Sequence, residues 1–418
     1  MSRLKGFGKH TPGFGGLDIL KFIGPGFLVA VGFIDPGNWA SNVAAGSQYG
    51  YSLLWVVTLS TLMLIVLQHN AAHLGIVTGL CLAESSTRYF RRRTGRLFLG
   101  SALAAAGATA MAEVLGAAIG LNMLFGLPLK IGAFLTAGLA GYLLFSNGYR
   151  RLEKWIIAFV SLIGFSFLFE ISLVHIGWAG ALKGWTVPSV PPGSLPIVMS
   201  VLGAVVMPHN LFLHSEIIQS RQWNREAEEV IGKQLKYEFA DTLLAMLIGW
   251  AINSALVIVA AEVFHAHGTV VSDLAQADIT LRPLLGNSAH IIFGAALVMA
   301  GFSSSVTAAM AGGSIFAGMY GEPFDISDNH SRAGAAITFG LAALVVLFLR
   351  DSFSGLIWSQ VVLAIQLPWT IFAQIALTSS SRVMGRHANS LTGNVLLWAT
   401  AAIVAVLNVM LAVEMMRG

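Results

Sequence analysis

The chain has 418 residues, 56% of them hydrophobic and 11% charged, with a mean hydropathy of +0.75 and a formal net charge of +4. A soluble globular chain carries roughly a quarter charged residues, so this composition excludes a mainly water-solvated protein and leaves no room for a sizeable soluble domain. The single cysteine, Cys81, excludes an intrachain disulfide and cysteine-rich metal or redox motifs.

Residues 1–18 are basic and Gly-rich, without the apolar core and small-residue cleavage site of a signal peptide, and read as a retained tail. Eleven apolar runs follow, each long enough for the about 20 residues that a bilayer crossing takes. They are predicted at roughly 19–45, 51–79, 98–125, 130–147, 153–175, 195–219, 237–263, 287–318, 334–350, 354–378 and 391–414. The eighth is long for one crossing, an excess that tilt or an extension beyond the membrane absorbs.

Lysine and arginine positions set the orientation. With the N-terminus inside, only Lys130, Lys183, Arg282, Arg350 and Arg417 fall outside, and the other 19 of 24 fall in cytoplasmic segments. The positive-inside rule thus puts the N-terminus in the cytoplasm and the C-terminus outside the cell membrane. The basic surplus is topological and implies no nucleic-acid partner.

The first and sixth runs carry matching tetrapeptides, Asp35-Pro36-Gly37-Asn38 and Met207-Pro208-His209-Asn210. Pro36 and Pro208 each remove a backbone hydrogen bond and clash with the preceding turn, and Gly37 eases unwinding. Non-helical backbone at membrane depth survives only where it is buried in protein or lines a wet cavity. Five spans separate the breaks, as a repeated five-helix unit gives; five being odd, the second copy enters from the opposite side. The expected architecture is all-α and membrane-embedded, with a first inverted repeat over 19–175, a second over 195–378, and an eleventh helix at 391–414. Two proline kinks are the simpler alternative, and the shared Asn with flanking Asp and His makes them a poor account.

The side chains at the breaks suit a cation. An ionised Asp35 deep in a span is costly unless paired or bound to a cation. Asn38 offers an amide oxygen, Pro208 frees the carbonyl of Ala204, and Met207 contributes a thioether. Oxygens alone suit Mg²⁺ or Ca²⁺, whereas the thioether shifts preference toward transition metals. Met207 is otherwise core filler, as most of the 14 methionines must be.

Other polar residues carry weaker signals. Glu113 is a proton-relay candidate or a structural hydrogen bond. His209 can take a proton from the metal site, or simply pack. His214 is a further proton-relay candidate, and with Ser215 and Glu216 it lines a cytoplasmic exit or marks the interface, the second being expected for Glu216. Asp241 reads as structural, and Glu170 and Glu262 as solvated near span ends. His69 and His73, four apart on one face, read as interfacial. The small-residue stretches 102–110 and 308–313 read as close helix packing.

Three longer motifs carry a resemblance. Gly24-Pro25-Gly26 leading to Asp35-Pro36-Gly37-Asn38, the run Ala204 to Ser215 (AVVMPHNLFLHS), and Ser359 to Pro368 (SQVVLAIQLP) look like the first, sixth and tenth helices of the Nramp (natural resistance-associated macrophage protein) family of divalent metal transporters. The resemblance covers nearly the whole chain and implies a LeuT-like fold. It implies a metal held by Asp35, Asn38, the Ala204 carbonyl and Met207, with Gln360 joining in one conformational state. It also implies import of Mn²⁺ or Fe²⁺ as substrate by alternating access, together with protons, by a monomer without a cofactor. The chain departs from the family pattern at Ala110, Phe302, Gly313 and Ala317, where polar residues of the expected proton route are missing. That leaves symport and an uncoupled divalent-cation transporter of broader selectivity, Mg²⁺ included, both open.

Two other classes fit less well. An intramembrane metalloenzyme would need a His-Glu-x-x-His run, which the chain lacks. A LeuT-type carrier of organic solutes would aim helix N-termini at a carboxylate, against which the acidic Asp35 argues.

Overall fold

The computed structural model describes residues 35–146, 161, 164, 168–169, 171–172, 174–279 and 286–417. The 1–18 tail, the first half of the first span with Gly24-Pro25-Gly26, most of the fifth span and Glu170 lie outside the described residues.

The described residues form α-helices joined by short 3₁₀ turns, with no strand among them. In chain order the helices of eight residues or more are α1 (Pro36–Tyr49), α2 (Leu54–Thr78), α3 (Leu82–Tyr89), α4 (Arg92–Phe125), α5 (Leu129–Phe145), α6 (Trp178–Thr186) and α7 (Leu195–Val205). They continue with α8 (Pro208–Gln219), α9 (Glu228–Val263), α10 (Ala289–Gly318), α11 (Asn329–Phe348), α12 (Ser352–Thr378) and α13 (Leu391–Arg417). Eight stretches are long and apolar enough to cross a membrane, one of them the α1–α2 pair Pro36–Thr78, and Leu129–Phe145 is a shorter apolar helix. Every expected span but the fifth thus has a helix in its place. Helices α4 and α9 begin at residues 92 and 228, earlier than expected at 98 and 237. Their first turns are charged, so hydropathy alone places the start too late.

The first motif starts a helix, and the second interrupts one. Asp35 is extended (φ −114°, ψ 158°) and caps α1 by accepting the Asn38 backbone N–H, with Pro36 in the first turn, where its missing donor costs nothing. Helix α7 stops at Val205 and α8 restarts at Pro208, with Met207 extended between them (φ −78°, ψ 115°). By contrast Pro368 sits inside α12 without ending it.

Small residues set the close approaches. A β-carbon on Gly116 of α4 would lie 2.0 Å from Pro36 Cβ, and one on Gly203 of α7 would lie 1.8 Å from the Gln360 carbonyl of α12. Gly312 and Gly313 pack against Thr338 and Ser331 of α11 in the same way. Ala102, Ala105, Ala106 and Ala110 are buried, so the small-residue stretches are helix-packing faces, as expected.

The segments group at two ends of the bundle. At one end, the turn before α3, the C-terminal part of α8 and the segment after α12 meet: Leu82 N–H donates to Ser215 Oγ (2.9 Å), Asn70 to Asn389 (3.1 Å), and Glu228 pairs with Arg386 and with His387 (2.6 Å). At the other end Tyr51 donates to Glu262, the Trp55 indole donates to the Ser189 carbonyl (2.9 Å), and His265 contacts the Ser47 carbonyl (3.2 Å). Glu262, expected to be solvated, is half-buried and engaged by Tyr51.

Candidate metal-binding site at the helix breaks

The helices at the two motifs lie side by side. Ser41 of α1 and Ser200 of α7 share a hydrogen bond of 2.7 Å, and α12 packs on both helices. Around this junction Asp35, Asn38, Ala204, Met207 and Gln360 are all buried.

Asp35 uses one oxygen for its cap, Oδ1 accepting from Asn38 N–H at 2.7 Å, while buried Oδ2 has no hydrogen-bond partner among the described residues. Gln360 comes from α12 onto the same turn. An ideal β-carbon on Gly37 would lie 2.0 Å from Gln360 Nε2 and 3.3 Å from Asp35 Oδ1, so amide and carboxylate flank one small space. Gln360 Nε2 donates to Ser359 Oγ at 3.1 Å, and buried Oε1 has no partner. Buried polar oxygens left unpaired are uncommon in folded proteins, and both side chains that flank Gly37 carry one.

Asn38 is held in an amide cluster. Its Nδ2 donates to Asn253 Oδ1 of α9 at 2.8 Å, and its Oδ1 accepts from Asn42 Nδ2 at 3.0 Å. Asn42 also donates to Asn253 Oδ1 at 3.1 Å. At the second break, the helical partner of the Ala204 carbonyl would be the nitrogen of Pro208, which carries no hydrogen. Met207 Sδ accepts from Asn210 Nδ2 at 3.4 Å and packs with Ala105 and Leu363. Leu363 is one turn along α12 from Gln360, so one helix touches both breaks. The structure joins Asp35, Asn38 and Gln360 closely and sets Met207 beside the same stretch of α12.

The proton-relay candidates divide. Glu113 is buried one turn from Gly116, close enough to Asp35 and Ser304 to interact with both. His209 Nδ1 meets Thr109 Oγ1 of α4 at 3.1 Å, which ties α8 to α4. His214 sits deeper toward the α3 end, with Nδ1 2.5 Å from Gln68 Oε1 and Nε2 3.9 Å from Glu238 Oε1.

Two expectations are corrected. Glu216 does not mark the interface: it is buried, accepting from Ser314 Oγ (2.8 Å) and Phe324 N–H (3.1 Å). His69 is not merely interfacial, since its Nδ1 lies 2.5 Å from Glu238 Oε2. Asn253, Asn42, Gln68 and Glu238 were not singled out in the sequence. A lone Asn within an apolar stretch of helix is the signal that could have found Asn253, whereas Glu238 stands among the charged residues that open α9 and carries no such signal.

Comparison with known proteins agrees with this geometry. The chain is 39% identical over 411 residues to a divalent metal cation transporter MntH of Brucella suis biovar 1, covering 96% of this chain and 89% of that protein. It is 38% identical over 411 residues to a divalent metal cation transporter MntH of Nostoc, covering 96% and 92%. Among solved structures it resembles an Eremococcus coleocola manganese transporter crystallised with an aromatic bis-isothiourea compound, with TM-score 0.79, 28% identity, and coverage of 96% of this chain and 88% of that one. The nucleobase-cation-symport-1 transporter Mhp1, at 16% identity, TM-score 0.60 and 92% and 91% coverage, shares the fold alone. The architecture is accordingly the LeuT-like one of two inverted five-helix repeats plus an eleventh helix. The natural resistance-associated macrophage protein-like model matches residues 26–414, and the chain belongs to that family, Nramp.

Proposed function

We propose that this chain imports a divalent transition-metal ion as its substrate, Mn²⁺ first and Fe²⁺ second, by alternating access between the two helix breaks. The observation that carries this reading is that the Asp35 and Gln360 side chains flank the same turn at Gly37, each with one buried oxygen, Oδ2 and Oε1, unpaired among the described residues. A cation there takes up both oxygens and offsets the buried carboxylate charge. Asn38 Oδ1, the Ala204 carbonyl and the Met207 thioether complete a mixed oxygen and sulfur set. The sulfur disfavours Mg²⁺ and Ca²⁺, which suit oxygen ligands. The relatives described as manganese and divalent metal cation transporters support the same choice.

Coupling to protons follows from the carboxylates. A metal ion requires Asp35 deprotonated, so binding releases any proton it carries. Glu113, close to Asp35 on α4, is the first acceptor in this account. His209 with Thr109, and His214 with Gln68, Glu238 and His69, offer onward polar contacts toward the α3 end. In the proposed orientation that end is cytoplasmic, as the cluster of Arg88, Arg91, Arg92, Arg93 and Arg96 on α3 and α4 supports. The repeats are taken to run over 19–175 and 195–378, in a monomer.

The second reading, uncoupled transport of broader selectivity, is favoured by the residues Ala110, Phe302, Gly313 and Ala317, none of which can carry a proton. Proteoliposome uptake of Mn²⁺ with a simultaneous internal pH readout tests the proposal. Uptake with acidification of the lumen supports symport, uptake without it supports the uncoupled reading, and no uptake of Mn²⁺ or Fe²⁺ overturns both.

A further inference from the structure

We propose that Cys81, Glu84 and Glu216, with the side-chain amide of Gln219, form a second metal site that takes a borderline divalent transition ion such as Zn²⁺, Co²⁺ or Fe²⁺. The site lies at the α3 end of the bundle and does not depend on which ion crosses the membrane.

The Cys81 sulfur and one oxygen from each glutamate lie within 4.8 Å of one another, in buried surroundings. A tetrahedral ion with bonds of about 2.0–2.3 Å spaces its ligands by about 3.5 Å, so closing the set takes side-chain shifts of about an ångström. Three elements meet here. Cys81 caps α3 and Glu84 sits in its first turn, a reciprocal pair in which Glu84 N–H donates to Cys81 Sγ (3.5 Å) and Cys81 N–H donates to Glu84 Oε2 (3.1 Å). Glu216 arrives from α8, held by Ser314 Oγ of α10 and the backbone of Phe324.

Charge is the first argument. Two carboxylates face each other with no lysine or arginine among the described residues paired to either. Buried like charges without a counter-ion are strongly disfavoured, so the cluster needs protons or a cation. Gln219 is the second, independent argument. It is 5% exposed, its Nε2 donates to Glu84 Oε2 at 2.5 Å, and its Oε1, fixed beside that contact, has no hydrogen-bond partner among the described residues. Rotating the amide by half a turn exchanges its two ends and presents an oxygen to the cluster. A thiolate with carboxylate and amide oxygens prefers Zn²⁺, Co²⁺ or Fe²⁺ over Mg²⁺ and Ca²⁺. An ion bound here clamps α8, the second half of the broken helix, to α3.

Cys81 is the one thiol in the chain, which makes the test specific. The full-length protein, purified in detergent and stripped with chelator, is titrated with Co²⁺ while thiolate-to-cobalt charge transfer is followed in the near ultraviolet. The expected band saturates at one ion per chain, disappears in Cys81→Ser, and persists in Asp35→Asn, which disables the transport site instead. Glu216→Gln, or Glu84→Gln if that variant misfolds, weakens Co²⁺ binding by about tenfold or more. Absence of the band in the native protein overturns the proposal and leaves a purely hydrogen-bonded cluster, as does an affinity unchanged by loss of the carboxylate. Absence of uptake by the native protein with the band intact overturns the transport reading and leaves this site standing, whereas native uptake without the band overturns this site alone.

Discussion

The amide of Gln360 occupies the space that a β-carbon on Gly37 would need, with Nε2 2.0 Å from that position. Gly37 therefore does more than loosen the first helix: its missing side chain admits an amide from α12 to the turn that Asp35 caps. Gly37→Ala is expected to displace Gln360 while the fold survives, because the atom in the way ends a flexible side chain. Mn²⁺ uptake should fall by about tenfold or more, given how steeply function depends on geometry at about the ångström scale. Gly37→Ala combined with Gln360→Ala should recover the melting temperature without recovering uptake.

Met207 sets selectivity. Met207→Ala removes the one soft ligand and leaves the oxygens, so discrimination of Mn²⁺ against Mg²⁺ and Ca²⁺ should shrink by about tenfold, equivalent to about 1.4 kcal/mol. Competition of each ion against Mn²⁺ uptake measures it. A Met207→Ala variant with native selectivity would place the thioether outside the ligand set.

Asn253 holds Asn38 in position from α9. Asn253→Leu leaves the Asn38 and Asn42 amide donors without their shared acceptor. Each hydrogen bond lost contributes about 0.5–1.5 kcal/mol, which a thermal melt of the detergent-solubilised protein would register. Weaker Mn²⁺ affinity should accompany the loss, since Asn38 then loses one of the contacts that orient its amide.

Glu113 separates coupling from transport. Glu113→Gln keeps size and hydrogen-bonding capacity but cannot carry a proton. The variant should still take up Mn²⁺ while the accompanying acidification is lost, read by a metal-quenched dye and a trapped pH dye together. Acidification at the native ratio to metal would remove Glu113 from the proton route.

The sequence made the spans and breaks legible because each rests on local chemistry. Pro36 and Pro208 cannot donate, and apolar length alone marks a crossing. The helix starts at 92 and 228 were set too late, since charged first turns lie outside any hydropathy window. Partnerships across the chain were not legible. His69 finds Glu238 on α9, and Glu216 finds Ser314 on α10 and the Phe324 backbone, over separations that no periodicity encodes. Asn38 was legible as an amide at a break, whereas the Asn42 and Asn253 cluster around it appears only once α1 and α9 are packed. Gln360 came from likeness to a family motif and not from its own spacing.

Uptake by Asp35→Asn in proteoliposomes tests the central claim most directly. The substitution keeps the cap acceptor and the shape while removing the one buried carboxylate charge of the proposed ligand set. Mn²⁺-dependent quenching of a trapped dye should fall to the level of protein-free vesicles, with the variant still monodisperse and folded. Quenching at the native rate would mean that the metal crosses elsewhere, and would contradict the assignment of the breaks as its binding site.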